Sequence, residues 1–140
     1  MTRVEEEIAE LNSTVKCKLA PSGIHGIGVL TIRDIKKEEK MYCLPQINPK
    51  LYRIPYGSLN KLFPEVKELI LQRWASIING SMFHSPNDDA WLLLFMNHSN
   101  DPNYDKTKDM ALRDIKKGEE VTSNYCLMEN ANKVFPDLCF

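Results

Sequence analysis

The chain has 140 residues, of which 43% are hydrophobic and 26% charged, as expected for one soluble globular domain. Its formal net charge of −1 argues against a nucleic-acid-binding protein, which needs an excess of basic residues on one face. No run of about 18 apolar residues occurs, so no membrane-spanning helix is predicted. The acidic N-terminal segment is unlike a secretory signal, which predicts a cytoplasmic or otherwise intracellular protein that is not secreted.

The first predicted elements are a helix and two strands. Residues 4–11 carry apolar side chains at helical spacing, which predicts a short N-terminal helix. Residues 14–20 alternate between the two faces of a strand until residues 21–23 break the pattern. The β-branched stretch that comes after residues 26–28 and ends at Ile32 predicts a second strand.

The middle of the chain has a different character. Residues 45–90 contain several prolines and glycines, and within them residues 64–74 place apolar side chains at helical spacing. We therefore predict a helical insert whose amphipathic helix begins near Pro64. The resulting fold class is mainly β with short helices, an α+β pattern that excludes a doubly wound α/β sheet.

One motif of seven residues occurs twice. Residues 33–39 have the sequence RDIKKEE, and residues 113–119 have the sequence RDIKKGE. Each copy lies between two apolar runs, which predicts two similar hairpins with an inward isoleucine and a solvated basic turn. Gly118 suits a positive φ at no steric cost, whereas Glu38 stands at the matching position of the first copy. A charged turn is usually only solvated, so the lysine pairs are not interpreted as a binding patch.

Four cysteines, Cys17, Cys43, Cys126 and Cys139, are spread along the chain without any C-x-x-C pair. In a reducing compartment this spacing predicts free or buried thiols rather than a disulfide framework or a zinc cluster. The histidines have no neighbours at metal-ligand spacing, so no metal site is expected.

Three polar motifs carry the strongest functional signal. Residues 97–103 have the sequence NHSNDPN directly after the apolar run 91–96, residues 118–125 have GEEVTSNY, and residues 22–29 have SGIHGIGV. Any one of them alone is also compatible with an ordinary surface turn. Together, in the chain order 22–29, 97–103 and 118–125, they resemble the SET-domain family of protein lysine methyltransferases. The resemblance covers residues 15–125, which is most of the chain.

The resemblance implies a SET-domain β-fold whose last segments thread a surface loop to form a C-terminal pseudoknot, a rare exception to unknotted topology. It implies an enzyme that uses S-adenosylmethionine to methylate the ε-amine of a protein or peptide lysine. The expected organisation is a helical extension at residues 1–13, a SET domain at residues 14–125 that contains the insert, and a tail at residues 126–140 packed near the cofactor site. We expect no direct nucleic-acid partner, no membrane partner, and a monomer or homodimer.

The resemblance also assigns roles to individual residues. Gly26 and Gly28 would let the backbone approach the methionine end of the cofactor, and Asn97 would offer its amide to the same end. His98 would contact the adenine mainly through its backbone, and Tyr125 would be the catalytic residue that orients the lysine amine. The expected cofactor-binding residues are Gly26, Ile27, Gly28, Asn97, His98, Tyr125 and Phe135. Phe140 is a second candidate cover for the adenine.

The chain departs from the family pattern at several positions. Asn100 replaces a usual cysteine, and Asn124 replaces a common aspartate. Ser123 stands where many members have an aromatic residue that limits how many methyl groups are added, so the product is left open. A second tyrosine of the lysine channel would be Tyr42 or Tyr104.

Two other interpretations are weighed against this one. A protein with this fold that has lost turnover would act as a cofactor- or peptide-binding module. Residues 101–104, DPNY, are similar to the D-P-P-Y motif of amino-directed nucleic-acid methyltransferases, but those enzymes need a longer chain with alternating strands and helices.

Overall fold

The structure, a computed structural model, describes residues 1–44, 51–72, 76–84, 92–127 and 130–139. Parts of the predicted insert and the candidate cover Phe140 lie outside the described residues. Within these ranges, none of the helices combines the length and the apolar surface that a bilayer crossing requires.

The described elements are short helices and strands in three small sheets. The helices are α1 (Arg3–Thr14), α2 (Pro64–Gln72) and α3 (Ala131–Val134), with 3-10 helices at Tyr56–Lys61, Leu92–Phe95 and Tyr125–Leu127. The strands are β1 (Cys17–Pro21), β2 (Ile27–Thr31), β3 (Tyr52–Pro55), β4 (Ser76–Ile78), β5 (Ser81–His84), β6 (Asn97–His98), β7 (Tyr104–Asp105), β8 (Met110–Ala111) and β9 (Glu120–Ser123). The predicted α+β class, the N-terminal helix and the helix that begins at Pro64 are confirmed.

Helix α1 is fixed at its start by a capping box. The hydroxyl of Thr2 accepts a hydrogen bond from the Glu5 backbone N–H, and the Glu5 carboxylate accepts one from the Thr2 N–H, both at 3.1 Å. The apolar face of the helix buries Ile8 and Leu11. These two side chains join a first core that α1 shares with α2, β3 and β5.

The central sheet has the strand order β1-β2-β9-β6. Strands β1 and β2 are antiparallel, β2 and β9 are antiparallel, and β9 and β6 are parallel. Because β9 comes late in the chain yet lies between β2 and β6, the C-terminal part of the chain is inserted among earlier strands. This insertion brings the end of β9 beside the NHSNDPN segment. A second core, which includes Val29, Tyr104 and Val121, lies against this sheet.

The two copies of the repeated motif, residues 33–39 and 113–119, form a pair of facing turns that we call the paired turns. Ile35 and Ile115 exchange two backbone hydrogen bonds of 2.7 and 2.9 Å, and both side chains are buried as predicted. The prediction of two separate hairpins is wrong. The strand before the first copy pairs with β9 after the second copy, and Lys40 after the first copy bridges to β8 before the second.

The cysteines correct a second prediction. Cys17 and Cys43 are free and buried, as expected, but Cys126 and Cys139 form a disulfide. The tail folds back through α3, which brings the Cα atoms of these two cysteines to 5.3 Å, within the usual range for a disulfide. Because disulfides persist mainly in oxidising compartments, this bond does not support the predicted intracellular location, which stays a prediction.

Candidate active site

The loop between β1 and β2, residues 22–26, forms one wall of the candidate site. Its ends are closed by a 2.8 Å hydrogen bond from the Ser22 N–H to the Gly26 carbonyl, and Gly26 has a φ of +51°. The Ser22 hydroxyl oxygen accepts hydrogen bonds from the N–H groups of Ile24 and His25, at 2.9 and 3.2 Å. The serine side chain therefore holds the loop in shape from inside, and glycine supplies the left-handed residue that the turn needs.

Three side chains from three elements, Ser22, Asn97 and Glu120, form a polar cluster beside this loop. The Asn97 amide nitrogen lies 2.9 Å from the Ser22 hydroxyl, 2.8 Å from the Glu120 carboxylate and 3.0 Å from the His25 carbonyl. The Ser22 hydroxyl in turn donates to Glu120, whose oxygens lie 2.6 and 2.8 Å away. Asn97 thus connects β6, the first hairpin loop and β9.

Gly28 makes room for this cluster. A Cβ atom built at Gly28 would lie 2.7 Å from the Glu120 carboxylate oxygen, closer than real Cβ contacts allow, and 3.0 Å from the Ser22 Cβ, which is tighter than most. The resemblance assigns Gly28 to close approach of a cofactor. The structure adds a reason within the protein itself, because the Glu120 carboxylate occupies the space that a side chain at position 28 would need.

Asn103, at the other end of the NHSNDPN segment, has a structural role. Its side chain is 2% exposed, and its amide both donates to the Glu120 carbonyl at 2.8 Å and accepts from the Thr122 N–H at 2.9 Å. The Asn103 carbonyl also accepts from the Leu112 N–H at 2.8 Å. One buried amide therefore satisfies backbone groups of β9 as a neighbouring strand would, and it aligns the strand that leads to Tyr125.

His98 orients the start of the 3-10 helix that carries Tyr125. The Tyr125 N–H donates to His98 Nδ1 at 3.0 Å, so this ring nitrogen must carry a lone pair. The other ring nitrogen, Nε2, lies 3.0 Å from the Asn100 side-chain oxygen and therefore acts as the donor. These two contacts assign His98 to the neutral tautomer with its proton on Nε2.

His98, Tyr125 and Phe135 form an aromatic cluster. The Tyr125 ring centroid lies 5.1 Å from that of His98 and 5.2 Å from that of Phe135, with interplanar angles of 55° and 38°. The Tyr125 hydroxyl donates a hydrogen bond to the Met96 carbonyl. Burial raises the pKa of Tyr125, so the phenol stays neutral at physiological pH.

The tail positions Phe135. The disulfide between Cys126 and Cys139 ties the tail to the residue directly after Tyr125. Ala131 and Cys139 are buried, and the Phe135 backbone accepts from the Cys139 N–H at 2.8 Å. The covalent link and the short helix α3 thus hold the Phe135 ring against Tyr125.

The two further tyrosines considered for the lysine channel occupy different places. Tyr104 is 1% exposed, and its hydroxyl donates to Asp109 at 2.7 Å within the second core. Burial, helped by that hydrogen bond, raises the pKa of Tyr104. Tyr42 is half-buried, and its ring centroid lies 5.2 Å from the Lys16 ammonium and 4.9 Å from the Lys40 ammonium. The structure therefore gives Tyr104 a place in the core rather than at the candidate site.

The structure brings most of the predicted site residues together. Asn97 belongs to the polar cluster, and Gly26 and Gly28 lie beside it. His98 follows Asn97 on β6, and Ile27 is 57% exposed. Sequence reasoning missed Ser22 and Glu120, although both belong to the quoted motifs. Among the described residues, no group of three His, Cys, Asp or Glu side chains could hold a metal ion.

Comparison with known proteins identifies the family. A family model for the SET domain matches residues 26–126. One similar solved structure is a Plasmodium falciparum protein provisionally named a histone methyltransferase; it is 20% identical, with 82% of this chain and 96% of that chain covered and a TM-score of 0.40. No curated protein matches the chain significantly.

Two inhibitor-bound structures of a humanized mutant of the Chaetomium thermophilum Polycomb Repressive Complex 2 are also similar. They are 20% and 19% identical, with 88% and 86% of this chain covered and a TM-score of 0.43 each. The chain spans only 17% and 16% of the length of those two chains. The SET-domain model covers well over half of this chain. It includes the polar motifs at residues 97–103 and 118–125 and the last four residues, 26–29, of the motif at residues 22–29. The chain belongs to the SET-domain family.

Proposed function

We propose that the chain transfers a methyl group from S-adenosylmethionine to the ε-amine of a protein lysine. The observation that carries this proposal is the environment of Tyr125. Its ring packs against the rings of both His98 and Phe135, and its hydroxyl donates to the Met96 carbonyl. A neutral hydroxyl oxygen in a fixed position is what a reaction at an amine needs for orientation.

The described residues fit such a cofactor in two respects. The polar cluster offers a carboxylate, an amide oxygen and a hydroxyl, which suit the charged amino-acid end of the molecule. The aromatic cluster offers ring faces, which suit the adenine. The two clusters are linked through Asn97 and His98, which are neighbours on β6. When bound, S-adenosylmethionine supplies a methyl group that is already electrophilic.

The residues of the chain must present the lysine as a neutral amine. At pH 7, removing the proton from a lysine of ordinary pKa costs about 4–5 kcal/mol. Partly apolar surroundings lower that pKa, and the rings of Tyr125 and Phe135 supply such surroundings. Burial of the amine in a water-poor channel is therefore part of the proposal.

Tyr125 is proposed to orient the amine rather than to remove its proton. Because its own proton is committed to the Met96 carbonyl, the hydroxyl oxygen has lone pairs left to accept from an amine N–H. The raised pKa of Tyr125 keeps the phenol protonated, which makes it a poor general base at neutral pH.

A methylation assay tests this proposal directly. The protein is incubated with methyl-labelled S-adenosylmethionine and an array of proteins or peptides, and the products are identified by mass spectrometry. Tyr125→Phe should keep the fold but lose about 2–4 kcal/mol of transition-state stabilisation, which is roughly 30- to 1000-fold in rate. Tyr56→Phe is the matched control, because Tyr56 is 63% exposed, lies on a different 3-10 helix and belongs to neither the polar nor the aromatic cluster.

Each outcome of that assay has a meaning. Labelled lysine with the wild type and a selective loss in Tyr125→Phe support the proposal. Cofactor binding without any labelled product would instead support a binding module that keeps the fold. Unchanged turnover in Tyr125→Phe would show that the hydroxyl is not the orienting group.

We further propose that the tail, residues 126–140, closes the site. Phe135 contacts the Tyr125 ring, and the disulfide keeps it there. Deleting residues 133–140 should weaken binding of S-adenosylhomocysteine in calorimetry and abolish methylation, while the circular dichroism spectrum still reports a folded core. A truncated protein that methylates at the full rate as a monomer contradicts this closure. If the truncated protein methylates at the full rate as a homodimer, the second subunit covers the site.

A further inference from the structure

Glu120 carries a charge that the described residues do not neutralise. Its side chain is half-buried, and its oxygens are bound by Ser22 and Asn97, both uncharged. Among the described residues, every lysine or arginine ion pair involves a carboxylate other than Glu120. A carboxylate that is partly removed from water is costly unless a positive group or several donors compensate it.

The hydrogen-bond inventory of the polar cluster is short of donors. Its side chains supply three hydrogens, two from the Asn97 amide and one from the Ser22 hydroxyl. The Ser22 oxygen is already supplied, because it accepts from the N–H groups of Ile24 and His25. The shortage therefore lies at the two Glu120 oxygens, which accept only from Ser22 and Asn97, and at the Asn97 amide oxygen, to which no described residue donates. The cluster therefore has room for an additional donor, and a positive one fits best.

The orientation of the Asn97 amide is fixed by the same contacts. All three neighbours of its nitrogen are acceptors, because the only hydrogen of Ser22 points to Glu120. The amide oxygen of Asn97 must then face away from them. Because the oxygen and the nitrogen share one carbon atom, this open acceptor lies one amide group away from the charged carboxylate that the nitrogen contacts.

We infer that Glu120 is the counter-charge for the α-ammonium group of the cofactor, with Asn97 as its partner acceptor. This inference rests on the proposed function. An ammonium group has one positive charge, three donors and no acceptor, which complements the deficit of the cluster. Gly28 is part of the same arrangement, because any side chain there would displace the Glu120 carboxylate. Ser22 sets the position of the carboxylate.

The test compares two ligands that differ only in the amino group. Calorimetry measures the affinity of S-adenosylhomocysteine and of its deaminated analogue for the wild type, Glu120→Gln and Glu119→Gln. Glu120→Gln should weaken S-adenosylhomocysteine by about tenfold or more, because a charge-assisted contact is lost, and should change the analogue by less than about twofold. Glu119→Gln, which alters the exposed neighbouring carboxylate, should change neither ligand.

A purely structural role for Glu120 gives a different pattern. Equal weakening of both ligands, or no weakening of either, overturns the inference while leaving the proposed function intact. If the wild type binds neither ligand, the proposed function fails and the inference fails with it. Should Glu120→Gln lower the melting temperature too far for binding measurements, Ser22→Ala replaces it; the same selective weakening, about threefold, is then expected. Loss of that selectivity in Ser22→Ala counts against the inference.

Discussion

The two paired turns share a local structure but lead into different parts of the fold. In each turn the last glutamate N–H donates to a lysine carbonyl, Glu39 to Lys36 at 3.0 Å and Glu119 to Lys116 at 2.9 Å. Each turn also holds the other through an aspartate, since Asp34 accepts from the Lys117 N–H and Asp114 from the Lys37 N–H, both at 2.8 Å. The two copies are therefore related by an approximate two-fold arrangement.

Beyond the turns the symmetry ends. The first copy leads to Lys40, which makes a single bridge to Met110. The second copy leads to β9, whose four residues lie between β2 and β6 and begin with Glu120. The same seven residues thus give the same turn, while the candidate site depends on which strands receive the chain afterwards. Local sequence determines the conformation of the turn, and long-range pairing determines which strands the turn connects.

The largest predicted effect tests whether the two copies are equal as structural units. Ile35→Ala and Ile115→Ala each remove a side chain that is at most 2% exposed, and each should lower the free energy of unfolding by about 2–5 kcal/mol. Ile78→Ala is the control, because Ile78 is 55% exposed and its loss should cost less than about 0.5 kcal/mol. Denaturant unfolding measures all three. A loss confined to one of the two buried positions would break the equivalence.

The next effect concerns the one position where the copies differ in sequence. Glu38 has a φ of +69° and Gly118 a φ of +84°, so both turns need a left-handed residue. Gly118→Ala should lower the free energy of unfolding by about 1 kcal/mol, because a Cβ is strained in this conformation. Glu38→Gly should raise it by less than about 1 kcal/mol, since the added freedom of the unfolded chain offsets part of the gain.

Gly57→Ala controls for the loss of glycine itself. Gly57 has no positive φ, and a Cβ there meets nothing within 4 Å. Its replacement should leave the midpoint of thermal unfolding unchanged or slightly raised. If Gly118→Ala behaves like Gly57→Ala, the backbone conformation at position 118 is less demanding than its φ suggests.

The fold could be predicted where its signals are local. Apolar spacing predicted α1 and the start of α2, and alternation predicted β1. The crosswise pairing of the two copies was missed because it joins residues 80 positions apart, as Ile35 and Ile115 are, and periodicity carries no information on such partners. The disulfide was missed for the same reason, since only the fold of the tail brings its cysteines together.

The site shows the same division. The motifs predicted that Asn97, His98 and Tyr125 belong to one site, and the structure places them close together, while their roles remain predictions. Ser22 and Glu120 gave no separate signal, because serine and glutamate are ordinary residues in turns and strand ends. The glycine at position 28 was the available clue, since a missing side chain in a strand indicates that another group approaches closely.

The smallest predicted effect separates the two terminal glutamates of the paired turns. Glu39 forms a 2.8 Å ion pair with the nearly buried Lys16, whereas Glu119 has no cation partner among the described residues. Partial burial opposes ionisation of Glu39, but the hydrogen bond and charge of Lys16, with other contacts, outweigh it and lower the pKa of this carboxyl. A lowered pKa in the folded state means that the pair stabilises the fold above the ordinary value of 4.5. That contribution is lost as the pH falls through the lower pKa.

Glu39→Gln should therefore reduce the free energy of unfolding at pH 7 by no more than about 1 kcal/mol, since the pair is partly exposed. The difference from the wild type should shrink as the pH is lowered from 5 towards 3, because the wild-type carboxyl is then protonated as well. Urea unfolding at several pH values measures this difference, with Glu119→Gln expected to cost less at pH 7. A Glu39→Gln difference that is the same at both ends of the range would show that the charge of Glu39 does not stabilise the first turn, whose hydrogen bond from Lys16 to the Lys40 carbonyl, at 2.6 Å, the substitution leaves in place.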